Sequence, residues 1–175
     1  MTIKKLEKIL NRKVIKDTCV LGIDTASRTG WAEIKTTKKT VTINYGVVHL
    51  DTKDIYYKYD KLIEIFQNMI TNQYKKVIIE DTHLKRYKDK DGTWKANVWM
   101  LKLLSRIGMI PYIFATLNSI DKIFLTPSGA RSILGIKGNV KKEEVHKWLN
   151  TVLGLKIEDK DASDAIVLAL NGIII

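Results

Sequence analysis

The stretch VLGIDTASRTGWAEIKTTKKTVTINYGVVHL, residues 20–50, decides the fold. It opens on a compact apolar run, Val20 to Ile23, closed by Asp24, which reads as a central strand ending in an acid. Residues 31–35 and 40–50 read as two further strands around the turn TTKK at 36–39. In the second of these Val41, Ile43, Tyr45 and Val47 alternate onto one face. The chain therefore opens as a three-stranded antiparallel meander.

Beyond it the period changes. Tyr59, Leu62, Ile63, Phe66, Met69 and Ile70 recur at helical spacing. Residues 77–80 form a short buried strand ending in Glu80. A second helix is expected over 94–107, stopped by Gly108 and Pro111, with strand candidates at 112–116 and 123–126. The loop LGIKGN at 134–139 leads to a helix over 141–153 with Val145, Trp148, Leu149 and Val152 inward. A small-residue helix from about 162 to 170 closes the pattern. Strands followed by alternating helices and strands indicate an α/β domain around one mixed sheet. Upstream, Leu6, Ile9 and Leu10 mark a helix in an extension of residues 1–16, before a main domain of 17–175.

Composition narrows the partners. A chain of 175 residues with 45% apolar content fits one domain with a proper core. Thirty Lys and Arg against 19 Asp and Glu give a net charge of +11, which favours a polyanionic partner. The longest apolar stretch, 107–115, is too short to span a bilayer, and the N-terminus lacks the apolar core of a signal peptide. The single cysteine, Cys19, opens an apolar run as a buried thiol, so no disulfide or cysteine zinc site can form within one chain. These features describe a soluble intracellular protein, in cytoplasm or nucleoid, an organelle or a viral replication site.

Four carboxylates stand at the edges of apolar segments: Asp24, Glu80, and the pair Asp161 and Asp164 in DASDAIVLAL. An acid that closes a buried strand sits at the strand's mouth, within reach of water and metal. Gathered together, such charges repel by several kcal/mol at roughly protein-interior dielectric, and bound cations relieve them. Each acid also has an ordinary explanation. Asp161 and Asp164, spaced i and i+3, suit the cap and dipole of a helix start; Glu80 can begin a solvated loop, and Asp24 can cap a turn. The small residues Ala162, Ser163 and Ala165 favour the metal reading, because they let the last helix pack closely on a sheet.

Taken together, GIDTASRTGWA at 22–32, IE at 79–80, KEEV at 142–145 and DASDA at 161–165 resemble the RuvC-type Holliday-junction resolvases, from about residue 19 to 172. The resemblance implies a ribonuclease-H-like fold, a mixed five-stranded sheet whose first three strands are antiparallel, flanked by helices. It also implies a homodimer and metal-dependent hydrolysis of phosphodiesters in branched DNA, especially four-way junctions. By position, Asp24, Glu80, Asp161 and Asp164 become metal ligands and Lys142 a catalytic-site lysine. The stretch around 135–139 becomes DNA-facing. His83 stands where bacterial members carry a base-wedging aromatic. A second family lysine aligns with Ala130, beside Arg131, which can substitute for it.

Chemistry supports the same reading. Mg²⁺, with Mn²⁺ as a substitute, prefers carboxylate oxygens and keeps several waters. Two ions roughly 4 Å apart would activate water and stabilise the leaving oxygen, with Lys142 countering charge on the phosphate. Arg28, Arg131, Lys137 and Lys141 are candidate phosphate contacts. So are His83, Lys85, Arg86 and Lys88 in the basic, aromatic segment after Glu80. The rival readings are another nuclease of this fold acting on flaps or RNA–DNA hybrids, and a nucleic-acid-binding module without catalysis. A sugar-kinase or chaperone-type ATPase needs two related domains and glycine-rich phosphate loops, and the chain is too short for it.

Overall fold

The structure, a computed structural model, describes residues 1–25, 28–82, 86–88 and 90–175. In chain order the elements are α1 (Ile3–Leu10), β1 (Cys19–Asp24), β2 (Thr29–Thr36), β3 (Val41–Val48), α2 (Ile55–Met69) and β4 (Lys76–Glu80). There follow β5 (Arg86–Lys88), β6 (Trp94–Ala96), α3 (Val98–Leu117), β7 (Asp121–Leu125), α4 (Pro127–Ile133), α5 (Lys142–Val152) and α6 (Asp161–Gly172).

Five strands form one mixed sheet in the order β3-β2-β1-β4-β7. The first three are antiparallel, as the meander reading expects, while β4 runs parallel to both β1 and β7. Strand alternation divides the core in two. Val20, Ala32, Ile34 and Ile78 face α6, with α1, α4 and α5 on the same side. Leu21, Ile23, Val77 and Ile79 face α2 and α3 through Leu62, Phe66 and Ile107. Asp24 and Glu80 share the parity of Val20 and Ile78, so β1 and β4 direct both acids to the α6 face at their C-terminal ends.

Small residues on both partners bring α6 against this face. A Cβ added to Gly22 would lie 2.3 Å from the Ala165 carbonyl oxygen, and one added to Gly30 would lie 2.1 Å from that of Asp161. Backbone thus meets backbone, and the start of α6 is held over the mouths of β1 and β2.

Two expectations fail along one helix. α3 runs through Gly108 and Pro111 and takes in residues 112–116, the first of the two strand candidates. Proline costs the helix a hydrogen bond, but Ile107, Ile110, Pro111 and Ala115 form a buried stripe, and Tyr112 stacks on Phe124 at 5.6 Å. Packing against the sheet outweighs the local break. At 20 residues α3 is also long and apolar enough to cross a membrane, which the 107–115 stretch alone is not.

The remaining surprises are short. Thr126 caps α4 through a bond to the Gly129 amide, and Pro127 occupies its first turn, a start signal the sequence reading passed over. β5 and β6 pair as a small antiparallel ribbon. α1 is a working part of the core: Leu6 is fully buried, and the Met1 amine donates to the Val41 carbonyl. Cys19 is buried and free, its thiol pushed up to about 11 by burial and then by the charge of Glu33.

Candidate active site

The ends of β1 and β4 and the starts of α5 and α6 converge. Ile23 pairs with Ile79, so Asp24 and Glu80 follow side by side on parallel strands. The Thr25 hydroxyl donates to the Glu80 carbonyl at 3.4 Å and ties the two mouths together. Asp24 is buried, Glu80 half-buried, and Asp164 only about 9% exposed. With Arg131, Lys142, Thr25 and Ser128 they line an open cavity of about 420 Å³.

Asp161 and Asp164 do not cap α6. The N-cap position is Lys160, which makes no side-chain cap bond, and Asp159 Oδ1 accepts from the Asp161 amide at 2.9 Å. The two later carboxylates instead meet cations. Lys142 Nζ lies 2.8 Å from Asp161, 3.4 Å from Asp164 and 3.6 Å from Asp24. Arg131 donates to Asp164 Oδ1 at 2.8 Å and, through its other terminal nitrogen, to the Val140 carbonyl at 3.0 Å. Arg28 pairs with Asp159 and, at 3.3 Å, with Asp161.

The electrostatics follow from this geometry. Burial, then the charge of and hydrogen bond to Glu80, raise the pKa of Asp24 well above an ordinary aspartate's, against the pull of Lys142. Burial works against the Lys142 ammonium, but the bond to Asp161 and the charges of Asp24 and Asp164 outweigh it and hold its pKa above the usual lysine value.

The sequence-predicted residues separate clearly. Asp24, Glu80, Asp164, Lys142 and Arg131 line one cavity, and Asp161 joins them through Lys142. Arg131, read as a DNA contact, is 12% exposed and engaged with Asp164. Lys137 and Lys141 are exposed on the approach to α5. Arg86 and Lys88 belong to β5, and His83 and Lys85 lie outside the described residues.

Sequence reasoning missed one network. His146 Nδ1 meets the buried Ser163 hydroxyl at 3.0 Å and its Nε2 meets Asn150 Nδ2 at 3.1 Å. Asn150 Oδ1 accepts from the Ile157 amide at 2.8 Å, which fixes the amide's orientation. Nε2 is then the acceptor, and Nδ1–H donates to Ser163. This chain of bonds locks α5 to α6 between the two acids.

Among the described residues no three acids, histidines or cysteines are gathered tightly enough to clasp a metal ion with the side chains as they stand. The donors nevertheless suit a hard divalent cation. All are carboxylate oxygens, and burial and the neighbouring charge of Glu80 disfavour the ionised form of Asp24, a cost that a bound cation would relieve.

The sheet order, with acids at the ends of its adjacent parallel strands, puts the chain in the ribonuclease-H-like class. Known proteins narrow this. A family model described as Crossover junction endodeoxyribonuclease RuvC matches residues 20–172. A curated relative of that description from Brachyspira hyodysenteriae is 29% identical over 135 residues, covering 71% of this chain and 84% of the relative. Two solved structures share the fold: Thermus thermophilus RuvC, with TM-score 0.59 at 16% identity, and T. thermophilus RuvC in complex with a Holliday junction substrate, with TM-score 0.57 at 15%. Each covers 87% of this chain; 92% and 91% of the solved chains are matched. The chain belongs to the RuvC family of crossover junction endodeoxyribonucleases.

Proposed function

We propose that this protein resolves four-way DNA junctions by paired, metal-dependent hydrolysis of phosphodiesters, with Asp24, Glu80, Asp161 and Asp164 as metal ligands. The observation that carries the reading is the convergence of Asp24, Glu80 and Asp164 with Lys142 on one open cavity at the strand mouths. The family membership of residues 20–172 supports it.

Mg²⁺, with Mn²⁺ as a substitute and two ions per site, would lower the pKa of an attacking water and polarise the scissile phosphate. The chain's own residues do the rest. Asp24 and Glu80, fixed by the parallel pairing of β1 and β4, present oxygens from the sheet; Asp161 and Asp164 present them from α6. Arg131 holds one oxygen of Asp164 and orients the other toward the cavity. Lys142 reaches the cavity from the start of α5 and can meet charge developing on the phosphate. Arg28, Lys137 and Lys141, with the basic segment that includes Lys88, would hold the DNA backbone, consistent with the net charge of +11.

A second copy would complete the enzyme. α3 leaves Trp99 63%, Ile113 49% and Leu117 72% exposed, and helical spacing puts Val98 and Met109 on the same side. Pairing of this helix with its symmetry mate would bury that surface and give two equivalent sites for a two-fold junction. A DNA substrate also sets an intracellular place of action.

The test offers labelled four-way junction, linear duplex, flap and RNA–DNA hybrid in parallel with Mg²⁺. Paired symmetric nicks confined to the junction are expected. Cutting of flap or hybrid in preference to the junction would transfer the function to another nuclease of this fold.

A further inference from the structure

The Lys142 ammonium stands at the focus of the acid cluster, within 3.6 Å of three of the four carboxylates. A lysine that served only to meet a substrate phosphate would gain nothing from that position. This one engages the oxygens through which a divalent cation would be held. The cations of the site also differ in freedom. Arg131 is anchored at two points, on Asp164 Oδ1 and on the Val140 carbonyl, and its side chain is 12% exposed. Lys142 is 30% exposed on a flexible four-carbon stem and hangs from the first residue of α5. Asp164 is divided between them, Oδ1 to Arg131 and Oδ2 to Lys142.

We propose that Lys142 is an exchangeable internal counter-ion: it competes with the divalent cation for Asp24, Asp161 and Asp164, and on displacement is released toward the DNA phosphate. Arg131 stays in place, so Asp164 offers the metal one oxygen. The inference rests on the metal-site reading above and adds a linkage to it. A metal that frees an ammonium for the phosphates strengthens DNA binding, and DNA that draws the ammonium away strengthens metal binding by the same factor. The raised pKa of Lys142 agrees with this, since the ammonium is already serving as a cation for the cluster.

The sign of one measurement decides the matter. A lysine that merely positions the acids would, when removed, weaken metal binding; a competitor, when removed, strengthens it. Mn²⁺ affinity is measured by electron paramagnetic resonance on DNA-free protein, for wild type, Lys142→Met, Lys142→Gln and Lys147→Met. The last removes an exposed charge from the same helix and controls for net charge. Thermal unfolding in EDTA and in Mn²⁺ accompanies each titration, and confirms that each variant is folded.

Both Lys142 variants are expected to bind Mn²⁺ roughly tenfold more tightly than wild type, with Lys147→Met unchanged. They should also lose thermal stability in EDTA and recover it with Mn²⁺, because the acids then lack their ammonium. Wild-type or weaker affinity in both variants would overturn the inference while leaving the metal site standing. Absence of Mn²⁺ binding in all four proteins would remove the metal-site reading, and the inference with it.

Discussion

Replacing Gly30 by alanine tests the contact on which the site depends. Gly30 lies on β2 opposite Asp24, and the added carbon would fall 2.1 Å from the Asp161 carbonyl oxygen and 3.0 Å from its carbon. Ordinary contact begins near 3.4 Å, so relief requires a separation of about 1.3 Å between β2 and the first turn of α6. Neither atom belongs to a flexible side chain, so the helix or the strand must move. An added methyl in a packed contact costs roughly 1–3 kcal/mol, and backbone against backbone places this one near the top of the range. For a chain of this size that corresponds to a fall of roughly 5–10 °C in Tm. The catalytic cost should be larger, because a displacement near 1 Å at reacting groups costs on the order of 100-fold in rate. Thermal unfolding, single-turnover cleavage of a labelled junction and junction binding in Ca²⁺ would be measured together. Loss of stability and rate with binding retained is expected. Wild-type Tm and rate in Gly30→Ala would refute the close seating of α6 on β2.

Three further outcomes follow from the same geometry. Arg131→Met should destabilise the fold by about 3 kcal/mol, since it removes the partner of Asp164 Oδ1 in a largely buried site, leaving only Lys142 on Oδ2, and frees the Val140 carbonyl; Arg131→Lys should recover part of this, and equal denaturant midpoints for all three proteins would contradict it. Trp99→Glu should weaken self-association at least roughly 30-fold, as expected for an aromatic anchor, while the protein stays folded; an undiminished dimer in sedimentation would exclude α3 as the interface. The pKa of Asp24 is raised on folding, so the folded state binds the extra proton: its contribution to stability is complete below the unfolded value and declines as pH rises through the folded one. Lys142, also raised, adds a constant over that interval. In EDTA, wild type should therefore lose stability relative to Asp24→Asn as pH rises from about 4 toward neutrality; a difference independent of pH would contradict the burial of a strained carboxylate there.

The sheet and the two acids at its strand ends were readable because their signals are local. Val20 to Asp24 and Val77 to Glu80 are short apolar runs that end in an acid, and the position of the acid at the mouth follows from the strand itself. The course of α3 was not readable, since Gly108 and Pro111 send a strong local stop signal that only packing against Leu62, Phe66 and the sheet overrides. The glycines Gly22 and Gly30 were visible but ambiguous: a strand glycine gains its meaning from the α6 backbone opposite it. The roles of Arg131 and His146 depend on partners 33 and 17 residues away, Asp164 and Ser163, which no periodicity announces. Lys142 was picked out by resemblance, and its hold on three acids came from the fold.

The most direct test of the central claim is cleavage of a four-way junction in Mg²⁺ by wild type and by Asp24→Asn, with junction binding measured in parallel. The account predicts paired symmetric nicks by the wild type, and none by the variant, which still binds the junction. Wild-type cutting by Asp24→Asn would contradict it, because the buried acid at the mouth of β1 would then have no part in the reaction.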